Sequence, residues 1–220
     1  MRTRNEKYAA VLTGDIVRSS NLQPSVRRRM AGTIRASVRE AQKAFGKKAI
    51  PYLADIFRGD SWQLVVMDAA LGTRVGLFLR AYMRGLPPGR RLDSRIAIGV
   101  GTVSSIPNGS ISEGSGRAFE VSGEALDTMP KHRRYAIAGD NGLVLEACVV
   151  VCALIDSRSR TWTPPQSRAV AYATQGLSQE EIASRWTGGI TQQAVAKHLS
   201  AGGWHGLREG LEFIERALVH

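Results

Sequence analysis

The sequence predicts a mixed α/β protein in which a sheet-forming part precedes an all-α segment. Two observations predict the first part: short apolar runs typical of strands alternate with longer segments that repeat apolar residues at helical spacing. A third observation concerns the end of the chain, where only helical patterns remain and glycines separate them. We therefore expect a βαββαβαβ order followed by helices alone.

The elements of the sheet-forming part can be placed in order along the chain. The first strand is expected over about residues 8–14, within an apolar run that is followed by Asp15 and then by Ser19 and Ser20. A helix is expected from Pro24 to Phe45, because apolar residues recur there every three or four positions. The other expected elements are a hairpin at 51–58 and 61–67, a helix at 68–84, a strand at 95–103, a turn at 107–110, a helix at 115–129 and a strand at 135–138.

An apolar helix with both cysteines of the chain comes next. Cys148 and Cys152 lie four residues apart on one helix face with no histidine or further cysteine nearby, so buried core cysteines are expected rather than a metal site. The helix is expected to run to Thr163-Pro164-Pro165, which is typical of a stiff linker. We expect three parts: residues 1–139 form the sheet domain, 140–165 the connecting helix and proline linker, and 166–220 a helical domain.

The charge of the chain is distributed unevenly between these parts. The net charge is +11, yet residues 140–220 carry 7 Lys/Arg against 8 Asp/Glu, whereas residues 1–139 carry 23 against 11. A basic surplus of this kind favours an anionic partner, either nucleic acid or nucleotide. No apolar run approaches the length of a membrane span and the N-terminus lacks the apolar region of a signal peptide, so a cytoplasmic protein is expected.

Two acids are presented in similar settings. Asp15 ends the first strand, and Asp60 lies at the tip of the hairpin, each directly after a glycine. Carboxylates held in this way suit a hard cation with oxygen ligands, such as the Mg²⁺ that accompanies phosphates. The simpler interpretation is that both Gly-Asp pairs only form turns.

The order of three short motifs resembles the catalytic domain of class III nucleotidyl cyclases. These motifs are Gly14-Asp15-Ile16-Val17, Gly59-Asp60-Ser61-Trp62 and Arg95-Ile96-Ala97-Ile98-Gly99-Val100-Gly101. With Gly116-Arg117-Ala118-Phe119 and the C-terminal part, the chain most resembles the bacterial SatD family. The resemblance implies a cyclase-like, ferredoxin-like sheet domain with a Mg or Mn site at Asp15, Ile16 and Asp60. The residues expected to contact nucleotide or phosphate are Arg18, Ser19, Ser20, Arg58 and Ser61.

The C-terminal part contains a more specific pattern. After a helix over about 167–174 and a break at Gly176, Ser178 and Glu181 have the spacing of a capping box, and a further helix follows Gly188-Gly189. The sequence LSQEEIA…ITQQAVAKHL resembles helix-turn-helix segments of bacterial regulators and of sigma-factor region four. That resemblance implies DNA contacts, with the second helix in the major groove. The expected contact residues are Ser178, Gln179, Thr191, Gln192, Gln193, Lys197 and His198. The alternative is a helical hairpin that only packs on the sheet.

Two functional hypotheses remain from the sequence. Class III cyclases place an Asn and an Arg where this chain has Glu120 and Glu124, and acids beside a triphosphate are repulsive. Arg117 is a possible substitute, and Ile56 stands where adenylyl cyclases have a base-selecting Lys. The first hypothesis is therefore a DNA-binding transcriptional regulator whose cyclase-like domain binds a metal-nucleotide effector or serves dimerisation. The second is an active cyclase that uses two metal ions at Asp15 and Asp60. Either would be a homodimer, since such domains build sites across a two-fold interface.

Overall fold

A computed structural model describes residues 7–57, 59–140 and 142–219 of the chain. The strands are β1 (Lys7–Ile16), β2 (Asp55–Phe57), β3 (Ser61–Val66), β4 (Ser94–Val103) and β5 (Tyr135–Ala138). The α-helices are α1 (Pro24–Phe45), α2 (Gly72–Gly85), α3 (Arg117–Asp127), α4 (Leu143–Ser159), α5 (Pro164–Ala173), α6 (Gln179–Ser184), α7 (Gln192–Gly202) and α8 (Trp204–Ala217). The predicted mixed α/β class and the βαββαβαβ order of its first part are confirmed.

The five strands form one sheet in the order β2-β3-β1-β4-β5. β1 lies at its centre and pairs antiparallel with β3 and with β4, so that Leu12 faces Leu64 on one side and Ile98 on the other. β2 extends the sheet antiparallel to β3, whereas β5 runs parallel to β4. The central position of β1 buries seven of its ten residues, which explains its continuous apolar run.

Helices cover both faces of the sheet. Ala10 and Leu12 of β1 belong to the core beneath α1 and α2, whereas Ala9 and Val11 face a second cluster that includes residues of α3. This alternation follows from the period of two along a strand. α3 approaches β4 so closely that a Cβ atom at Gly99 would lie 2.2 Å from the Ala118 carbonyl oxygen. Only glycine fits that position without displacing the helix.

The C-terminal helices pack against the sheet-forming part. α5 lies against α2 and α8 lies against α4, and the core beneath α2 continues without a break into residues of these helices, such as Val170 and Leu211. A buried polar network also joins the two parts, because Arg80 of α2 donates to Asp93 before β4 at 2.8 Å and to Ser159 of α4 at 2.7 Å. The division into three parts at residues 139 and 165 stays a prediction.

The structure corrects the predicted linker. Pro164 and Pro165 are the first residues of α5, and the Thr163 side chain caps this helix together with Gln166. Proline is favoured in a first helical turn, where its missing N–H has no intrahelical partner to lose, so the same dipeptide suits a linker or a helix start. The helix before it ends at Ser159 rather than at residue 163.

Smaller differences concern the ends of elements. β1 extends to residues 7 and 16, β2 is limited to three residues, and the helix predicted from residue 68 begins as a 3₁₀ turn before α2. The predicted α1 and β5 are confirmed at their stated ends. Both cysteines are buried in α4, as expected. None of the helices in the described ranges is long and apolar enough to cross a membrane.

Candidate functional site

Asp15 lies at the end of β1, where its register partners are Ser61 of β3 and Arg95 of β4. The Arg95 Nε atom donates to both carboxylate oxygens, at 2.9 Å and 3.1 Å, and a terminal nitrogen donates to one of them as well. These hydrogen bonds raise the pKa of Arg95, and the charges of Asp127 and Asp60 add to the effect. The charge of Asp15 is therefore already balanced by a cation of the chain itself.

Asp60 lies next to Asp15, in the tight turn between β2 and β3. Gly59 before it has φ +87°, a conformation that favours glycine, and this turn directs Asp60 back toward β1. The Ile16 N–H donates to the Asp60 carbonyl oxygen at 3.2 Å, and the Ser19 hydroxyl donates to its carboxylate. Asp15, Ile16 and Asp60, which the sequence assigned to one site, thus lie at the same end of the sheet.

An open cavity of about 350 Å³ lies beside Asp60. Ser19 and Ser20, both expected to contact phosphate, line it together with Gly59, Met30 and Arg27. The Arg27 guanidinium donates to the Ser20 carbonyl oxygen. Sequence reasoning did not select Arg27, since it stands in a run of three arginines on α1 and nothing local distinguishes it from its neighbours.

The other expected phosphate contacts are placed as follows. Arg18 is exposed and has φ 54°, an uncommon left-handed conformation for a residue other than glycine. Ser61 is half-buried at the start of β3. Arg58 lies outside the described residues. Ser19, Ser20 and Asp60 therefore form the compact part of the predicted set.

The oxygen donors around Asp60 suit a hard cation in type, since carboxylate and hydroxyl oxygens are the ligands that Mg²⁺ and Mn²⁺ prefer. Within the part of the chain that the structure describes, no group of three or more His, Cys, Asp or Glu side chains converges on one point. A cation held by both acids would share the Asp15 carboxylate with the Arg95 guanidinium, whose positive charge repels it. Arg95 is thus the residue that decides whether Asp15 is free to bind a metal.

Arg117 is not brought to this site within one chain. It begins α3 beside Gly101, six residues along β4 from Arg95, which corresponds to about 20 Å. Its guanidinium pairs with Glu120 at 3.2 Å and with Asp140 at 3.1 Å, and these hydrogen bonds raise its pKa, the Asp140 bond most. A contribution of Arg117 to the Asp15 site would need a second copy of the chain.

A second candidate region is formed by α6 and α7. Ser178 caps α6: its hydroxyl accepts from the Glu181 N–H at 3.2 Å, and its own N–H donates to the Glu181 carboxylate at 2.7 Å. The capping box predicted there is confirmed. The Thr191 hydroxyl caps α7 by accepting from the Ala194 N–H at 3.2 Å. Both hydroxyls are therefore engaged in holding the helix ends.

The side chains of α7 divide into a buried and an exposed set. Val195 and Leu199 are buried, as is Ile182 of α6, and these residues pack the two helices into the common core. The exposed set contains Thr191, Gln192, Gln193 and Lys197, while Gln179 of α6 is half-buried. The predicted contact residues on α7 thus lie together on its free surface, apart from His198.

His198 is half-buried instead of exposed. Its ring stacks on the indole of Trp186, with centroids 6.0 Å apart and an interplanar angle of 8°. The Arg168 guanidinium of α5 lies 4.5 Å from the same indole. His198 therefore packs within the protein, and Trp186 connects α5 with α7.

Comparisons with protein-family models, with curated proteins and with solved structures found no match.

The residues that contact the predicted site residues could not be identified from the sequence. In the sequence, Arg95 is only the first residue of a strand motif and Trp186 is only an isolated aromatic. The contacts that give them their roles are to residues distant in the sequence. The one local signal was the spacing of Trp186 after α6, which places a large aromatic in a turn where it needs a packing partner.

Proposed function

We propose that this protein is a DNA-binding transcriptional regulator in which α6, the following turn and α7 form a helix-turn-helix. The observation that carries the proposal is the free surface at the start of α7. Gln192, Gln193 and Lys197 are exposed there, and none of their side chains hydrogen-bonds to another group within the described residues. The two preceding caps, at Ser178 and Thr191, fix both helix starts.

The chemistry of these side chains matches DNA recognition. A glutamine amide offers a donor and an acceptor together, the pattern that an adenine edge presents in the major groove. A lysine near the same surface supplies a phosphate contact, which adds affinity without reading sequence. His198, stacked on Trp186, contributes by positioning α7 rather than by contacting bases.

For the sheet domain, we propose a cyclase-like fold that binds a metal-nucleotide or serves dimerisation. Its strand order and βαββαβ connections match the ferredoxin-like arrangement. Asp15 and Asp60 lie at one end of the sheet, and Asp60 lines a cavity together with Ser19 and Ser20. Mg²⁺ or Mn²⁺, when bound there, would neutralise phosphate charge, and Ser19 would orient the Asp60 carboxylate through its hydrogen bond.

The active-cyclase alternative has less support. Glu120 and Glu124 are exposed on α3, and Glu120 pairs with Arg117, the one residue that was expected to substitute for a transition-state arginine. We therefore expect little cyclic product when the protein is incubated with each of the four common nucleoside triphosphates and Mn²⁺. Robust cyclic product by mass spectrometry would favour the alternative over the regulator.

A homodimer is part of the proposal, and α4 supplies a surface for it. The exposed fractions of Leu143, Val150 and Leu154 are 83%, 60% and 67%, and with half-buried Ala147 they follow the four-three-four spacing of a coiled-coil seam. A helix that is apolar on every side is normally covered on every side. Two copies joined along this seam would present two α7 helices to a palindromic site.

The experiment that tests the proposal begins by selecting DNA fragments from a random pool with the wild-type protein. Binding of the selected DNA is then measured by fluorescence anisotropy at several salt concentrations. Gln193→Ala should relax preference at one position of each half-site and weaken binding there by about 1–3 kcal/mol. Lys197→Ala should weaken binding to all sequences and flatten the salt dependence.

The matched control is Lys131→Ala, which removes an exposed lysine from the loop before β5. It should leave the base preference unchanged. If Gln193→Ala and Lys197→Ala both bind selected DNA like the wild type, or if no fragment is selected, α6 and α7 are a structural hairpin and the proposed function fails.

A further inference from the structure

A cavity of about 560 Å³ lies between the end of α2, the helix α5 and the turn that follows α6. Tyr82, Leu86 and Pro87 line it on the α2 side, and Tyr172 and Trp186 line it on the other. This volume is within the range of small-molecule sites, which often lie where two parts of a chain meet. Gly85 fixes the approach of the two walls, since a Cβ atom there would lie 3.0 Å from the Arg168 backbone.

The lining combines aromatic surface with unneutralised positive charge. Its aromatic residues are Tyr82, Tyr172 and Trp186, its charged residues are Arg91 and Arg168, and no carboxylate lines it. Arg91 donates to the Leu86 carbonyl oxygen at 3.1 Å, and Arg168 donates to the Thr187 hydroxyl at 3.0 Å. Throughout residues 7–57, 59–140 and 142–219, neither arginine forms an ion pair with an acid.

We infer that this cavity binds a planar aromatic molecule that carries a carboxylate or phosphate group. The aromatic walls suit a flat ring, which stacks on them or packs edge to face. The anionic group would be held by Arg91 and Arg168, because guanidinium groups bind carboxylate and phosphate through paired hydrogen bonds. The hydrogen bonds that both arginines already make are to neutral oxygens, which leaves their charge available.

Occupancy of the cavity is transmitted to α7 through Trp186. The indole lines the cavity, and the Arg168 guanidinium carbon lies 4.5 Å from its ring centroid. The same indole stacks on the His198 ring of α7, with centroids 6.0 Å apart. A ligand that engages Arg168 or the indole therefore acts on a direct neighbour of α7. Ligand binding stands on the cavity alone, whereas its use in regulation rests on the proposed DNA-binding function.

The test of binding is calorimetry on the full chain with 2-naphthoate and with adenosine monophosphate, and with 2-naphthylmethanol as an uncharged analogue. The two anions distinguish carboxylate from phosphate, and at least one should bind more tightly than the alcohol. Arg168→Gln should weaken that binding about tenfold to a hundredfold, the cost of a lost charged hydrogen bond. Arg208→Gln, which removes an exposed arginine from α8, should leave it unchanged.

Arg91→Gln repeats the test at the other arginine, so that a folding defect in one variant does not decide the outcome. Circular dichroism checks both variants. The inference is overturned if neither anion binds, or if the folded Arg91→Gln and Arg168→Gln variants bind with wild-type affinity.

Transmission to α7 is tested without DNA. Saturating probe should shift the ring proton resonance of His198, assigned with a His198→Gln variant, and the shift should disappear in Arg168→Gln. An unchanged His198 resonance in the saturated wild type would overturn the coupling. Because neither measurement uses DNA, failure here is distinguishable from failure of the proposed function.

Discussion

Arg95→Gln tests whether Asp15 and Asp60 form a metal site. In the wild type, the Arg95 guanidinium occupies both oxygens of Asp15 and its charge repels a cation placed between the two acids. Glutamine keeps an N–H donor at the position of the Arg95 Nε atom but removes the charge. We therefore expect the substitution to increase the affinity for Mn²⁺.

The size of this effect follows from the exposure of the pair. The exposed fractions of the Asp15 and Arg95 side chains are 22% and 27%, so the pair is neither fully solvated nor deeply buried. Unit charges about 4 Å apart interact by about 1 kcal/mol in water and about 4 kcal/mol at a dielectric constant of about 20. After solvent screening, roughly 1–2 kcal/mol is released for the metal, which is about five- to thirtyfold in affinity.

Mn²⁺ binding is measured by calorimetry or by the loss of the free-ion electron paramagnetic resonance signal. Asp15→Asn combined with Arg95→Gln should abolish the gain. Arg117→Gln is the matched control, since it removes another salt-bridged arginine, at the other end of β4. If neither the wild type nor the folded Arg95→Gln variant binds Mn²⁺, or if Asp15→Asn leaves binding unchanged, the metal assignment is refuted.

Two further predictions concern stability and assembly. Burial would raise the pKa of Asp93, but Arg80 and Arg84 outweigh this effect and lower the pKa below its ordinary value. The ion pairs therefore stabilise the protein above the unfolded pKa of about 3.9, and this stabilisation is lost as pH falls through the folded pKa. Asp93→Asn should thus reduce the free energy of unfolding by about 3 kcal/mol at pH 7. Urea melts should show a smaller difference between variant and wild type below about pH 4. A difference that stays constant with pH would contradict this prediction. Leu154→Glu should convert a dimer into monomers in analytical ultracentrifugation, because it places a charge in the apolar seam of α4. Lys131→Glu, which introduces the same side chain at an exposed position in the loop before β5, should not. An unchanged dimer in Leu154→Glu would show that α4 is not the interface.

The elements that could be predicted from the sequence are those whose signals are local. The period of α1, the Gly59-Asp60 turn and the Ser178 capping box each depend on residues within one or two turns of chain, and the structure has all three. Pro164-Pro165 was misread because both interpretations satisfy the local chemistry of proline. Only the packing of α5 on α2 decides between them.

The candidate sites were predicted only in part, because their partners come from distant segments. Asp15 was recognised, but the salt bridge to Arg95 depends on the register between β1 and β4, 80 residues apart. His198 was expected to contact DNA, which stays a prediction, and its stacking on Trp186 depends on the way α6 and α7 pack. A sequence pattern can identify a reactive or exposed residue type, whereas the neighbour that neutralises or covers it is determined by tertiary packing.

The distribution of strong contacts indicates which part of the C-terminal region can respond to a ligand. The Arg84 guanidinium donates to the Trp162 carbonyl oxygen at 2.6 Å, directly before α5, and the same side chain pairs with Asp93. These bonds fix the start of α5 relative to α2. The segment between α6 and α7 is held by different contacts, since Arg168 donates to the Thr187 hydroxyl and Trp186 stacks on His198. A ligand that engages Arg168 or Trp186 should therefore act on this segment and on His198 of α7, while α5 keeps its place.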